Sequence, residues 1–170
     1  MPRYIALLRS VNVGGAGKLP MAELKAICFA AGFRRVETLI ASGNVAFDSD
    51  ASPIDIRSAL AERLRAHAGK PVGVFLRDRG EIRAVLEQNP FAERAADRTV
   101  AIFLDGPPPR DALEHVRYRR DEESRLGARE IYVHYPSGQG RSRLIIPAAE
   151  GGTARNMNTV ARLVALAEKP

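Results

Sequence analysis

A glycine-rich segment near the start of the chain combines backbone amides with positive charge. Residues 10–17 read Ser-Val-Asn-Val-Gly-Gly-Ala-Gly, with Arg9 before them and Lys18 after them. A glycine-rich connection between a strand and a helix exposes backbone N–H groups, which bind anions, and flanking cations favour the same ligand. The Asn12 amide both donates and accepts hydrogen bonds. The segment predicts an anion or polar-ligand loop, although a plain flexible connection fits the same residues.

Two established phosphate-binding motifs do not fit this segment. A P-loop requires glycine, four residues and then Gly-Lys-Ser/Thr. If Gly17 and Lys18 ended such a loop, Asn12 would occupy its first glycine position and Leu19 its hydroxyl position. The dinucleotide pattern G-x-G-x-x-G has Pro20 in place of its third glycine. The segment is therefore not a standard nucleotide loop.

Further polar residues stand near the end of the chain. Thr153 is expected to cap the last helix, which places Arg155 in its first turn. A cation there opposes the helix dipole, so either a negative ligand or an internal acidic residue is expected to compensate for it. Asn156 and Asn158 follow; they either contact a ligand or satisfy backbone groups of the glycine-rich segment.

A short turn completes the candidate site. Residues 42–44 read Ser-Gly-Asn between two short apolar runs, which indicates a hairpin. Asn44 fits a ligand contact, but turn formation is the commoner role of asparagine in such a position. Because all these polar groups lie at the ends of predicted elements, the sequence predicts a single ligand site formed by Arg9, Asn12, Lys18, Asn44, Arg155, Asn156 and Asn158.

Other catalytic or metal chemistry has no signature. The single cysteine, Cys28, adjoins an apolar helix face, so a core position is expected rather than a nucleophile. His67, His115 and His134 are widely spaced and form no standard zinc pattern with it. A G-x-S-x-G elbow is absent. We expect no metal and no cofactor.

Composition indicates a globular protein with a basic surface. The chain has 170 residues, of which 45% are hydrophobic and 27% charged, and its net charge is +6. A basic balance favours acidic partners, but the arginines are scattered and often stand beside acids, as in residues 117–123. The apolar runs are too short to span a bilayer, and no signal peptide is recognisable. One cysteine fits a reducing compartment, so we expect a cytoplasmic protein without membrane contact.

Nucleic-acid recognition is a further possibility for the predicted fold. RNA-recognition modules stack bases on exposed aromatic residues of two central strands. Tyr4 and Phe47 are the only candidates here, and residues 45–48 do not match the RNP1 pattern. Nonspecific, salt-dependent contact through arginine is the form of binding that stays open.

The first half of the chain has the pattern of a ferredoxin-like fold. The apolar spacing and the capping residues predict a strand at 3–9, a helix from Pro20 to Gly32, strands at 36–41 and 45–48, a helix from Ser52 to Gly69 and a strand at 72–76. This order is the split βαβ arrangement. Residues 1–77 are therefore predicted to form a ferredoxin-like half.

The second half alternates helices and strands again. Its predicted elements are a helix capped by Asp78 with Glu81, a strand at 99–104, a helix at about 109–117, strands at 124–126 and 130–135, and the helix after Thr153. Residues 78–170 are predicted to form a second, related α+β half packed on the first. The ligand pocket is expected at the junction of the halves.

Motifs along nearly the whole chain carry a family resemblance. They lie, in order, at residues 4–15, 19–21, 42–45, 103–108, 129–132 and 153–160. In these motifs the chain resembles the family called domain of unknown function 1697. The resemblance implies a small α+β bacterial protein with ferredoxin-like elements and no established activity. Met157 stands where the family usually has tryptophan, and segment 143–153 is shorter than usual; the helical spacing favours Met157 as a core residue.

Three functional hypotheses follow. The leading one is a binding protein for a small anion or phosphorylated ligand. The second is an enzyme acting on a phosphorylated or nucleotide-like substrate, in which the same residues clamp charge without supplying a nucleophile. The third is a module that binds nucleic acid nonspecifically.

Overall fold

Residues 1–9, 19–39 and 43–170 are described in the structure, which is a computed structural model. The chain divides into a first unit, Met1–Ile82 with Leu163–Pro170, and a second unit, Arg83–Arg162. The sequence-based boundary lay between residues 77 and 78 and left the whole C-terminal helix in the second half. In the structure, residues 78–82 and the last eight residues group with the first unit.

The first unit contains one antiparallel sheet with two helices between its strands. Its elements are β1 (Arg3–Arg9), α1 (Met21–Ala30), β2 (Arg34–Leu39), β3 (Asn44–Asp48), α2 (Pro53–Ala68) and β4 (Gly73–Asp78). The strands lie in the order β2-β3-β1-β4. The order of elements is the predicted one, and the strand order is compatible with a ferredoxin-like arrangement.

Local sequence signals account for these elements. The five residues 4–8 of β1 are all buried, as their continuous apolar character predicts. Ser52 caps α2, because its hydroxyl oxygen accepts a hydrogen bond from the Asp55 N–H at 3.2 Å. The helix ends at Gly69, whose φ of 72° is left-handed. Apolar residues of α1, α2 and the sheet then form one core cluster.

The second unit repeats the strand order. Its strands are β5 (Thr99–Phe103), β6 (Glu123–Leu126), β7 (Glu130–His134) and β8 (Thr153–Asn156). The helices α3 (Arg79–Glu87), before β5, and α4 (Met157–Glu168), after β8, each have residues in both units. The sheet order β6-β7-β5-β8 matches β2-β3-β1-β4 strand for strand, and every pairing is antiparallel. Within the described residues the fold thus has two four-stranded sheets and four α-helices, which confirms the α+β prediction.

The predicted start of α3 is confirmed in detail. The Glu81 N–H donates to Asp78 Oδ1 at 2.8 Å, and the Asp78 N–H donates to Glu81 Oε1 at 2.9 Å. These reciprocal bonds form the capping box that the spacing of the two acids indicates.

Two predictions of helix in the second half were wrong. Where a helix was expected at about 109–117, only a 3₁₀ turn forms, at Ala112–His115. Thr153 does not cap α4, because residues 153–156 form strand β8 paired with β5. The helix starts at Met157, and Asn156 supplies the cap: its Oδ1 accepts from the Thr159 N–H at 2.9 Å. Pairing with a distant strand overrode the local signal of a helix start.

Gly152 fixes the close approach of β8 to β5. A Cβ at Gly152 would stand 2.6 Å from the Phe103 carbonyl oxygen, whereas a Cβ at Gly151 meets nothing within 4 Å. We expect Gly152→Ala to lower the free energy of unfolding by about 1–3 kcal/mol, because backbone must shift to admit the methyl group. Gly151→Ala is the matched control and should leave it within about 0.5 kcal/mol of wild type. Urea unfolding of both variants tests this; equal midpoints would contradict it.

Candidate functional site

Two of the predicted site residues lie at one edge of the first sheet. Arg9 is the exposed last residue of β1, and Asn44 is the first residue of β3. Because β1 and β3 are antiparallel, with Leu7 opposite Asn44, these two strand ends meet at the same edge. The paired residue Gly73, at the start of β4, lies beside Arg9. We call this end of the sheet, where β1 ends and β3 and β4 begin, the β1-end edge. Two further predicted site residues, Asn12 and Lys18, lie outside the described residues.

The N-terminal end of α1 is directed toward the β1-end edge. Strand β2 begins at the other end of the sheet, since Arg34 pairs with Asp48 and Asp48 with Arg3 at the start of β1. Only residues 31–33 join α1 to β2, so the C-terminal end of α1 lies at that end of the sheet and its N-terminal end is directed to the β1-end edge. Pro20 precedes the helix without a side-chain cap, and its carbonyl oxygen accepts from the N–H groups of Glu23 and Leu24, each at 3.0 Å. The first N–H groups of a helix have no partner within the helix. They carry a partial positive charge at this end.

Asn44 also has a structural contact. Its side chain is 2% exposed, and Nδ2 donates to the Leu39 carbonyl oxygen at 3.4 Å. The Leu8 N–H donates to the Gly43 carbonyl oxygen at 2.8 Å, and Gly43 has a φ of 68°. These contacts fit the turn-forming role that was weighed against ligand binding.

The prediction that Arg155 lies in the first helical turn, against the helix dipole, was wrong. Arg155 lies in β8, opposite Ala101 of β5, and not in a helical turn. It is 9% exposed, and its Nη1 donates to Thr153 Oγ1 at 2.7 Å and to the Ala154 carbonyl oxygen at 2.9 Å. Burial lowers its pKa to about 10, so it stays charged at neutral pH. The anomaly that suggested a ligand therefore does not exist.

Asn156 and Asn158 take different positions. Asn156 caps α4, whereas Asn158 lies exposed on that helix. Both residues, with Arg155, belong to the second unit, and Arg9 and Asn44 belong to the first. A site that unites all of these residues stays a prediction.

The second unit contains a cavity that was not predicted. Its volume is about 540 Å³. One side is formed by residues just before β6, namely Arg120, Asp121 and Glu122. The other side is formed by residues after β7, namely Tyr135, Ser137, Gly138, Arg141 and Ser142. Glu123 of β6 is paired with His134 of β7, which brings these two segments together. We call it the β6–β7 cavity.

Glu122 is a buried carboxylate in this cavity. It is 2% exposed, its Oε1 accepts from the Arg120 N–H at 2.6 Å, and the Ser142 hydroxyl donates to its Oε2. Burial alone would raise the pKa of Glu122. The hydrogen bonds from Ser142 and from the Arg120 N–H, with the Arg120 charge, lower that pKa below its usual value. The carboxylate is therefore ionised at neutral pH.

Tyr135 places a hydroxyl beside that carboxylate. It is 8% exposed and lines the cavity, and its hydroxyl has no hydrogen-bond partner among the described residues. Burial and the nearby charge of Glu122 raise its pKa above the usual value for tyrosine. The hydroxyl thus stays protonated at neutral pH and is able to donate a hydrogen bond to a ligand.

The remaining charges of the cavity are more exposed. Arg120 and Arg141 are exposed, and the Ser137 hydroxyl donates to Asp121 Oδ2 at 2.5 Å. Two guanidinium groups and two carboxylates therefore line one cavity. Residues 117–123 had been interpreted as a charged run, and nothing in that run distinguishes the buried Glu122 from its exposed neighbours.

Comparison with known proteins identifies the family. Residues 1–132 match the family model described as "Protein of unknown function (DUF1697)". The chain belongs to the DUF1697 family. A solved structure, that of the conserved bacterial protein SP0830 from Streptococcus pneumoniae, is similar to this DUF1697 protein with a TM-score of 0.82 and 26% sequence identity. The match covers 98% of this chain and 99% of the other. No curated protein sequence matches the chain.

Several other residues that were considered for a function are buried in this DUF1697 protein. The rings of Tyr4 and Phe47, the two possible base-stacking residues, are buried in the core of the first unit. His134 is buried, and its Nδ1 is 2.9 Å from Thr99 Oγ1. In the described ranges, no group of three or more His, Cys, Asp or Glu residues is placed to hold a metal ion. None of the helices within those ranges has the length and apolar character needed to cross a membrane.

In the first unit of the DUF1697 protein, a second charged cluster joins residues near the N-terminus of the chain to residues near its C-terminus. The buried Arg3 guanidinium donates to Asp48 Oδ1 at 2.9 Å, to Glu37 Oε2 at 2.8 Å and to the Leu166 carbonyl oxygen at 2.9 Å. The Lys169 ammonium donates to Glu37 Oε1 at 2.6 Å and lowers the pKa of that carboxyl. These bonds join the C-terminal end of α4 to the first sheet, which is a structural role.

The Ser142 hydroxyl should stabilise the ionised form of Glu122. Because the folded pKa of Glu122 is lowered, its contribution to stability is present above the unfolded pKa, about 4.3, and is lost as the pH falls through the folded pKa. We expect Ser142→Ala to lower the free energy of unfolding by about 1–3 kcal/mol at pH 7 and by less below pH 4.

Ser137→Ala is the matched control for this prediction. Its hydroxyl bonds the exposed Asp121 instead of a buried carboxylate, so the change should stay within about 0.5 kcal/mol at both pH values. Urea unfolding across the pH range measures all three proteins. A Ser142→Ala loss that does not depend on pH would contradict the role given to Glu122.

Cys28 should be unreactive in the folded protein. It is fully buried, and burial raises the pKa of its thiol to about 12, so at pH 8 the thiolate is about a thousandfold scarcer than in the unfolded chain. We expect labelling by dithionitrobenzoate only after unfolding in urea. Rapid labelling of the native protein would contradict the core position.

Proposed function

We propose that this DUF1697 protein binds a small anionic or phosphorylated ligand at the β1-end edge. The observation that carries the proposal is the N-terminal end of α1, which has no side-chain cap and is directed toward the edge that presents Arg9. A strand that leads through a glycine-rich segment to a helix N-terminus is a common way to hold phosphate. The ligand would complete the hydrogen bonding of the first helical turn.

The charges near this edge favour an anion. The helix dipole and the exposed Arg9 both attract negative charge. Lys18 stands two residues before Pro20 in the sequence and adds a second cation. The first turn of α1 also contains an acid, Glu23, whose Oε1 lies 3.7 Å from His67 Nδ1. A protonated His67 would offset part of the repulsion between Glu23 and an anionic ligand.

Binding is favoured over catalysis by the residue types. Arginine, lysine and asparagine clamp and orient a charged group, but none of these candidates is an established nucleophile beside a base. A pocket shared by both halves stays a prediction, as does ligand contact by Arg155, Asn156 and Asn158. Arg155 and Asn156 have hydrogen-bond partners within the second unit.

A thermal-shift screen tests the proposal. Inorganic phosphate, sulfate, sugar phosphates and nucleotides are compared at constant ionic strength, with chloride as the reference anion. A ligand present at ten times its Kd should raise the melting temperature by about 3–5 °C. Arg9→Ala and Lys18→Ala should each weaken that ligand about tenfold, because each removes one charge-assisted contact.

Lys25→Ala is the matched control. Lys25 is an exposed cation of α1 that lies one turn beyond its N-terminal end, so its removal changes net charge without touching the proposed site. It should leave the affinity within twofold of wild type, which is about 0.4 kcal/mol. No shift with any phosphate compound, or equal losses in all three variants, would overturn the proposal.

A further inference from the structure

We infer that the β6–β7 cavity is a separate binding site for a small zwitterionic ligand of the amino-acid class. It is built from residues of the second unit alone and shares none with the β1-end edge. The inference therefore stands or fails independently of the anion-binding proposal. The size of the cavity, its two kinds of charge and the hydroxyl of Tyr135 all favour such a ligand.

The cavity has the size and the backbone support of a ligand site. Small-molecule pockets are commonly about 300–1,000 Å³, and this one is about 540 Å³. The segment after β7 is held by its own backbone: the Gly138 N–H donates to the Tyr135 carbonyl oxygen at 2.9 Å, and the Ser142 N–H donates to that of Gln139 at 3.1 Å. Gly138 has a φ of 88°, which glycine adopts without strain. The protein's own backbone bonds thus hold this wall of the cavity.

Glu122 supplies a negative group inside the cavity. Its two oxygens accept hydrogen bonds from the Arg120 N–H and the Ser142 hydroxyl. A carboxylate has about four acceptor positions, so it retains capacity for a further donor. The lowered pKa keeps it charged at neutral pH. With Asp121 as a second carboxylate in the lining, an ammonium group of a ligand would be well accommodated.

Arg120 and Arg141 supply the positive groups. Both line the cavity and have exposed side chains. A guanidinium group binds a carboxylate through two parallel hydrogen bonds, which gives both affinity and orientation. A ligand carboxylate would therefore bind toward these arginines while its ammonium group points to Glu122.

The Tyr135 hydroxyl is available to a polar ligand. Tyr135 lines the cavity, and its hydroxyl has no hydrogen-bond partner among the described residues. Most of the residue is buried, but the hydroxyl oxygen itself is accessible, because no buried side-chain nitrogen or oxygen of the described residues lacks a partner. A ligand carboxylate or amino group within the cavity would provide one.

The balance of charges selects the ligand class. A ligand with negative charge only would meet two carboxylates, and a ligand with positive charge only would meet two guanidinium groups. A zwitterion presents an opposite charge to each set, whereas a ligand of one sign leaves one set facing a like charge, which is costly in a partly buried site. Free amino acids are the simplest ligands of this kind.

Titration calorimetry with the twenty free L-amino acids tests the inference. For each that binds, the C-terminal amide and the N-acetyl derivative are measured beside it. We expect at least one amino acid to bind, and both derivatives to bind about tenfold more weakly, because each lacks one of the two charges. Competition with inorganic phosphate should have no effect, since the phosphate site proposed above is elsewhere.

Three variants locate the binding. Arg141→Ala should weaken the best amino acid about tenfold, and Tyr135→Phe three- to tenfold, because each removes one ligand contact. Tyr135→Phe should not lower the melting temperature, since the hydroxyl bonds no described residue. Arg143→Ala, an exposed arginine outside the lining, is the control and should change the affinity less than twofold.

Three results would overturn the inference. The first is that no free amino acid binds to the wild-type protein. The second is binding that is unchanged in both Arg141→Ala and Tyr135→Phe, which would place the ligand outside this cavity. The third is equal affinity for the amino acid and for its amide or N-acetyl derivative, which would exclude recognition of both charges.

Discussion

Burial of central strands on both faces is the constraint on which the sites depend. All residues at 4–8 of β1 and at 130–134 of β7 are buried, whichever face they occupy. Polar side chains within these sheets are held by internal partners, as Tyr132 is by the Val85 carbonyl oxygen at 2.8 Å. In these two strands, accessible charge is therefore confined to the ends, as at Arg9.

The two units share a strand order but differ in what connects the strands. In the first unit α1 and α2 follow β1 and β3. In the second unit the corresponding connections contain only 3₁₀ turns, including Ala112–His115 after β5 and Gln139–Arg141 after β7. A helix supplies a terminus with an electrostatic preference for anions, whereas irregular connections leave room for side chains to enclose a cavity. One strand order thus accommodates both of the proposed sites.

Local patterns explain how much of the fold could be predicted. Apolar runs and caps such as Ser52 and the Asp78–Glu81 pair depend on neighbours in sequence, so they were predicted correctly. Thr153 pairs with Phe103, which lies fifty residues earlier in the sequence. The residues next to Thr153 do not reveal that pairing, so Thr153 was assigned to a helix start. The β6–β7 cavity was missed for the same reason: Glu122 and Ser142 meet only after β6 and β7 pair. Periodicity carries no information about such contacts.

Each unit is proposed to bind its own class of ligand, and chemical-shift mapping of the ¹⁵N-labelled protein tests this most directly. Inorganic phosphate should shift the amide signals of Arg9, Leu19, residues 21–24 and Asn44, and leave those at 120–122, 135 and 137–142 unchanged. An amino acid that binds should produce the reverse pattern. Shifts from both probes at the same residues, or shifts spread evenly over charged surface residues, would contradict the account.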